Sequence, residues 1–531
     1  MKLIRIHIIS ARTCGGLLDG FNRVFRMSDS QFDRFDPLCL IGPNGSGKSQ
    51  LMQVLAEVFQ SVCHAVVPME ERLEANPDNL FEIEYLIRPV PSSPPVHVMI
   101  SRNYAGKRKK PVLSVKRKTE EEWTECDLND QATGSLLPTR IVGYTSGDNE
   151  TLSLPFLVSR GGYADEVGRT ALNEATRSNT VADTRLMLID YGTNLEVLVA
   201  NMLFGTEEQR DALLDEARVE RLHSCRCIVQ LNHSAVTNEV QLTDELSEYL
   251  ENLKKCSTCY LFEEKTKTFT FDFWINEETR KAFRHYWKSA LDLYRAFHKL
   301  AMLNDLAIPK KTRQRVRKET RERHFAARLP EPADDDKVFR FEQVKFISRI
   351  DDSIVDYVSL SDGEHQLCQL LGMMLMQGTS GVLFLLDEPE SHFNPQWRVK
   401  FISKVMGLPT NAGKRGAPTP ASEQECLLTT HAPFVPSDMS RERVFIFSKA
   451  DGKVVVQNPS IETYGTTFDT IVEECFGVVP PISKLSLAEI EMLKTSTNRE
   501  ELQNAIKRLG NSVQKALLIE RMMQLPEAPG N

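Results

Sequence analysis

The chain has 531 residues, a formal net charge of -8, and 41% hydrophobic against 26% charged residues. That length exceeds a single core and predicts roughly two to four domains. The mild acidity argues against a surface built throughout for nucleic acid, and no apolar run approaches the roughly 18–20 residues of a membrane span.

The start, Met1-Lys2-Leu3-Ile4-Arg5-Ile6-His7-Ile8-Ile9, alternates as a first strand does and lacks the layout of a secretory leader, so a cytoplasmic protein is expected. Pro37-Leu38-Cys39-Leu40-Ile41 reads as a short buried strand, and Gln50 to Phe59 repeats apolar residues at helical spacing. Between them stands Gly42-Pro43-Asn44-Gly45-Ser46-Gly47-Lys48-Ser49, which fits the phosphate-binding pattern G-x-x-x-x-G-K-[ST] in the strand–turn–helix setting it requires. Glycines let the backbone curl so that its N–H groups face an anion, and the helix start adds its dipole there. Lys48 is expected on the β- and γ-phosphates of a nucleoside triphosphate, and Ser49 on Mg²⁺.

Phe81–Ile87, Val96–Ile100 and Val112–Val115 read as antiparallel strands. Arg140–Thr145 is a further strand ending in the polar loop Ser146–Glu150. From about 155 to 335 the pattern turns mainly helical, over Glu207–Leu222, Thr243–Lys255 and a long Glu277–Leu306, with a strand at Thr268–Trp274. The eleven cysteines are scattered. Cys225, Cys227, Cys256 and Cys259 could close a zinc site, but Cys225-Arg226-Cys227 fits metal spacing poorly, and both pairs lie in strand-like text where cysteine is a small apolar filler. Two basic clusters interrupt the acidic background. One is Lys107-Arg108-Lys109-Lys110 with Lys116-Arg117-Lys118, which reads as a hairpin tip. The other runs from Pro309 to Arg323 and holds eight cations against two acids; Lys310, Lys311, Arg313, Arg315, Arg317 and Lys318 are its candidate nucleic-acid contacts, the alternative being a solvated helical arm. Pro330–Asp336 reads as an acidic linker closing the insertion.

Beyond it, Val382–Leu386 is an apolar strand ending in Asp387-Glu388, one acid for the Mg²⁺ shell and one to orient or deprotonate the attacking water. Leu427–Thr430 is another such strand, tipped by His431, which is placed to hydrogen-bond a γ-phosphate. Upstream, Ser361-Asp362-Gly363-Glu364 opens a helix and offers a second phosphate-binding terminus whose natural use is on a partner's nucleotide.

With Leu360-Ser361-Asp362-Gly363-Glu364, Asp387-Glu388-Pro389-Glu390-Ser391-His392 and Thr430-His431-Ala432-Pro433, the chain resembles the ABC-type ATPases of the SMC, break-repair and overcoming-lysogenization-defect branch. The resemblance implies an α/β fold: an ABC-type P-loop head with a mixed β-sheet, split into residues 1–154 and 338–458 by a mainly helical insertion over 155–337, and followed by a helical tail over 459–531. It implies two heads sandwiching two ATP molecules, Lys48 of one subunit facing Ser361, Asp362, Gly363 and Glu364 of the other, with Glu388 and His431 serving hydrolysis. The glutamine loop of the family has its best counterpart in Ser146–Glu150. Among members with short insertions the chain looks most like the PtuA-type ATPases of Septu and retron anti-phage systems. That likeness rests on Gly143–Glu150, the signature and acid motifs, and Leu509–Leu518. It implies a homodimer or higher even oligomer and a separate HNH nuclease of PtuB type, and in retrons also a reverse transcriptase with its RNA–DNA product. No nuclease centre of its own is expected, because the hundred residues after His431 read as helices. A RecF-like repair ATPase and a nucleotide-bound scaffold with little turnover are the alternatives.

Overall fold

A computed structural model describes all residues except 28–31, 75, 92, 105–109, 148–149, 190–193, 233–239, 323–331 and 527–531. The chain forms two compact units, Met1–Gly465 and Thr466–Asn531. It is a mixed α/β protein, and none of its described helices is long and apolar enough to cross a membrane.

The first unit is organised on a seven-stranded sheet with the order Lys453–Gln457, Val444–Ala450, Leu38–Ile41, Glu425–Thr430, Val382–Asp387, Arg140–Thr145, Leu186–Ile189. All neighbours run parallel except the first pair, which is an antiparallel hairpin. The four strands from Leu38–Ile41 to Arg140–Thr145 are buried at every residue, and this is why they read as unbroken apolar runs. Register then decides the site. Thr430 lies opposite Ile41 and Asp387 opposite Thr145, so these strands deliver their carboxyl ends to one edge.

A six-stranded antiparallel sheet, ordered Phe21–Val24, Lys2–Ser10, Leu80–Ile87, Val96–Asn103, Val112–Thr119, Glu122–Cys126, shares its core with the first. Leu51, Leu55, Val58, Phe59 and Val62 of the helix Lys48–Val66 pack in one cluster with Ile6, Ile83, Tyr85 and Ile100 of this sheet and Leu385 and Leu427 of the other. Every residue from Leu51 to Cys63 is buried. The helix that leaves the phosphate loop is therefore enclosed by both sheets from Leu51 onward, while Ser49 and Gln50 at its start stay partly exposed.

The helices expected between 155 and 337 are joined by a sheet that the helical pattern concealed. It is antiparallel, with the order Cys259–Glu263, Thr268–Trp274, Val219–Gln230, Phe339–Ser348, Ile354–Asp356. Phe339–Ser348 follows the acidic linker yet pairs with Val219–Gln230, so the return to the head first completes the insertion's sheet. In the other direction, Leu186–Ile189 leaves the insertion to edge the head's sheet. The helix expected over Glu207–Leu222 stops at Leu214, because Val219 already begins a strand. The long helix expected over Glu277–Leu306 is three pieces, Glu277–Tyr286, Ala290–Met302 and a 3₁₀ turn over Leu303–Ala307. Buried Trp287 leaves the helix in extended conformation, and Ser289 caps the next one by accepting from Asp292 N.

The second unit is helical, with Phe468–Phe476, Lys484–Lys494, Arg499–Arg508 and Val513–Gln524; the last three share a core of Ile490, Leu493, Leu502, Ala505 and Leu518. Asn498 and Ser512 cap the last two helices.

Candidate nucleotide site

Gly42, Gly45 and Gly47 have φ of +139°, +71° and +99°, the region that favours glycine. At Gly42 a Cβ would lie 2.2 Å from the Phe447 carbonyl oxygen, and at Gly47 2.8 Å from Val454 Cγ2, so the hairpin Val444–Gln457 leaves room for neither. Pro43, Asn44 and Gly45 are exposed, whereas Ser46 and Lys48 are buried. The Ser46 hydroxyl is buried without a partner among the described residues. Lys48 Nζ donates to Gly42 O at 2.8 Å and Pro43 O at 3.1 Å. Burial pushes its ammonium down to about 8, against the pull of Glu388 and Asp387.

Ser49 Oγ donates to Asp387 Oδ1 at 2.9 Å across 338 residues of sequence. The same oxygen accepts from Thr429 Oγ1 at 2.6 Å, and Thr429 Oγ1 accepts from Glu388 N at 2.9 Å. One threonine hydroxyl thus fixes both acids. Burial pushes the Asp387 carboxyl above its ordinary range, with the Thr429 and Ser49 hydrogen bonds opposing. Glu388 takes the left-handed region at φ +49°, and its Oε1 lies 3.2 Å from His431 Nε2. The His431 hydrogen bond holds this carboxyl below its ordinary range, with Lys48 assisting. The acid beside Lys48 is accordingly ionised at neutral pH and half exposed.

The structure therefore brings Lys48, Ser49, Asp387, Glu388 and His431 into one coupled set. Thr429 escaped the sequence reading, although a second threonine before a histidine at a buried strand end is a signal for it. Ser361 and Asp362 are exposed and bond within their own turn: Ser361 accepts from Glu364 N, and Glu364 Oε2 accepts from Ser361 N at 2.8 Å. The other Glu364 oxygen accepts from Arg218 N at 3.0 Å, which ties the turn to the insertion. A Cβ on Gly363 would lie 2.8 Å from His392 O. Behind the turn, Tyr144 Oη donates to Gln366 Oε1 at 3.0 Å, and Gln366 Nε2 donates to Ser146 O at 3.1 Å. In the loop after Arg140–Thr145, Asp148 and Asn149 lie outside the described residues.

A fragment of the chain, residues 234–438, matches the family model of the AAA domain, putative AbiEii toxin, Type IV TA system. The match supports an AAA-family P-loop ATPase domain in this chain. It spans Ser361–Glu364, Asp387, Glu388 and His431 but not Gly42–Ser49, less than half of the chain. No curated protein matches the chain.

The donor set fits nucleotide and Mg²⁺: a glycine cradle that a Cβ would fill, an orphaned Ser46 hydroxyl, a buried lysine, and a Ser49–Asp387 oxygen pair of the hard type that Mg²⁺ selects.

Of the basic helix Lys310–Glu322, Lys310, Lys311, Arg315 and Lys318 are exposed, while Arg313 is tied to Asp165 at 2.5 Å and to Ile308 O. The Arg317 side chain and Lys107–Lys109 lie outside the described residues. Cys225 and Cys227 are buried in the strand Val219–Gln230, and burial pushes the thiols of Cys225 and Cys256 up to about 12. Cys259 is exposed beside Asp272. Among the described residues no group of His, Cys, Asp and Glu is arranged to hold a metal ion.

Proposed function

We propose that the chain is an ATP-hydrolysing regulatory ATPase of an anti-phage defence system, which dimerises through sandwiched ATP and controls a separate nuclease of HNH type. The observation that carries the ATPase part is the continuous connection Ser49–Asp387–Thr429–Glu388–His431, with Lys48 beside it. Lys48 and the loop amides hold the phosphates, Glu388 takes the proton of the attacking water, and His431 orients Glu388. Mg²⁺, held by Ser49 and Asp387, supplies positive charge to the phosphate oxygens when bound. The toxin-system description of the matched family supports the defence setting. The exposed, self-capped Ser361 turn supports use in trans, on the nucleotide of a second copy. A retron reverse transcriptase with its RNA–DNA product belongs to the same reading, and the exposed cations of Lys310–Glu322 are the surface that would meet it.

The test compares wild type, Glu388→Gln and Lys48→Ala for phosphate release and for mass in solution with and without ATP. Glu388→Gln is expected to lose hydrolysis by at least about 100-fold while trapping an ATP-dependent dimer. Lys48→Ala is expected to lose both. An Glu388→Gln chain that hydrolyses ATP as wild type does, or stays monomeric with ATP, refutes the reading. Co-purification of a small nuclease or of an RNA–DNA hybrid supports the defence role, and affinity for gapped DNA alone moves it to repair.

A further inference from the structure

Two residues beyond Glu388 stands a carboxyl that the mechanism above does not use. Glu390 is 2% exposed. Its Oε1 accepts from Thr430 Oγ1, while its Oε2 has no partner among the described residues. The Thr430 hydroxyl in turn accepts from Ala432 N at 2.9 Å. One side chain thereby closes a turn around His431: the hydroxyl proton goes to Glu390, and its lone pair takes the amide on the far side of the histidine. His431 leaves that turn to meet Glu388 at 3.2 Å.

A buried carboxyl is a costly way to fill space, since an apolar residue of like volume would carry no desolvation penalty. The cost is visible here. Burial pushes the Glu390 carboxyl up to about 7, with the Thr430 hydrogen bond and Arg398 opposing and Glu388 adding to the rise. The titratable groups that face it are few. Glu388 faces it from the same loop and Tyr144 from the neighbouring strand. Arg398 comes from the helix Pro395–Gly407, but its guanidinium is engaged by the backbone oxygens of Ser391 and Phe393 at 2.7 and 2.8 Å. The Tyr144 hydroxyl is spent on Gln366. No cation is therefore bonded to the Glu390 oxygens among the described residues.

We propose that Glu390 is a positioning residue: through Thr430 it fixes the 430–432 turn and so holds the His431 imidazole against Glu388. This deepens the ATPase reading of the site and rests on it. Because Glu390 changes charge close to neutrality within reach of Glu388, its ionisation also enters the pH dependence of turnover.

The experiment uses the full chain and the variants Glu390→Gln, Glu390→Ala and Thr430→Val. Glu390→Gln keeps an oxygen for Thr430 and cannot ionise. It is expected to turn over within about 3-fold of wild type and to lose an inflection near pH 7 from the kcat profile. Glu390→Ala and Thr430→Val each release the turn. Each is expected to lower kcat about 10- to 100-fold with KM for ATP changed by less than about 3-fold, and the double variant to be no worse than either single one. A second readout needs no turnover: the NMR titration of the His431 imidazole, assigned with His431→Gln, shifts in Glu390→Ala. Wild-type kcat and an unshifted His431 titration in Glu390→Ala overturn the proposal. If Glu390→Ala does not fold, Thr430→Val decides, and wild-type kcat with an unshifted His431 titration there overturns the proposal. Should wild type show no hydrolysis, the ATPase reading fails by itself, and the His431 titration alone supports or overturns the link through Thr430.

Discussion

ATP binding should draw a proton from solution above pH 8, and Lys48 is the reason. Its ammonium is buried, bonded to the carbonyl oxygens of Gly42 and Pro43, and lowered to about 8. Anionic phosphate oxygens beside it favour the charged form, so the nucleotide complex holds the proton to higher pH than the free protein. The sign follows: below about 8 both states carry the proton and affinity is flat, and above it the free protein has lost a proton that the complex keeps. A group with that value is about nine-tenths neutral at pH 9 and about one-tenth neutral at pH 7. Binding at pH 9 is thus expected to take up about 0.9 proton, and affinity to fall about tenfold per pH unit beyond 8. Calorimetry with a non-hydrolysable ATP analogue, in two buffers of different ionisation enthalpy at each pH, reads the proton number directly. Lys48→Arg, whose guanidinium does not titrate, should abolish the linkage. Equal proton uptake at pH 7 and pH 9 in wild type would refute the argument.

Two glycines of the loop should differ sharply under the same substitution. Gly42→Ala places a Cβ 2.2 Å from a backbone oxygen at φ +139° and should cost about 3 kcal/mol or more, read as a lowered melting temperature with lost nucleotide binding; Gly45→Ala, with nothing nearer than Lys449 Nζ at 4.0 Å, should cost only about 1 kcal/mol for its positive φ. Ser361→Ala removes the cap of Asp362–Met376, about 1 kcal/mol of stability, and should weaken ATP-dependent self-association while each copy still binds ATP at its own loop. Reversing the charges of Lys310, Lys311 and Lys318 should lower the slope of log affinity against log salt for nucleic acid by about 2 to 3. An unchanged slope would assign those cations to a solvated face.

The halves of the site were legible because burial on both faces of a parallel sheet writes itself as an apolar run, and each run here ends at or beside a residue of a different kind: Gly42, Asp387, His431. Their adjacency was legible only through the family resemblance, since it depends on pairing Leu427 with Leu38 and Leu383 with Ile141, a matter of topology and not of local pattern. The insertion's sheet was legible only in pieces: Thr268–Trp274 and the text around the two cysteine pairs read as strands, while residues 219–222 read as the end of a helix. Val219–Gln230 mixes Glu220, Arg221, His223 and Arg226 among its apolar residues, and exposed and half-buried positions break its apolar run. The break at Trp287–Ser289 could have been read from Ser289 and Asp292 at capping distance. Glu390 could not, because a charged residue in a turn reads as solvated until burial is known.

The exposed turn at Ser361 belongs, in the proposed sandwich, to another copy's nucleotide, yet its supports belong to its own. Gly363 sits so close to His392 O that no side chain fits between them, and His392 lies on the loop that begins with Glu388. Gln366, one turn along the same helix, bridges Tyr144 and Ser146 at the end of the strand paired with the Asp387 strand. Close packing transmits displacement, because interdigitated contacts move together or break. A shift of the Glu388 loop on hydrolysis therefore cannot leave the Ser361 turn in place. In the proposed sandwich, chemistry at one nucleotide would thereby loosen the grip on the other.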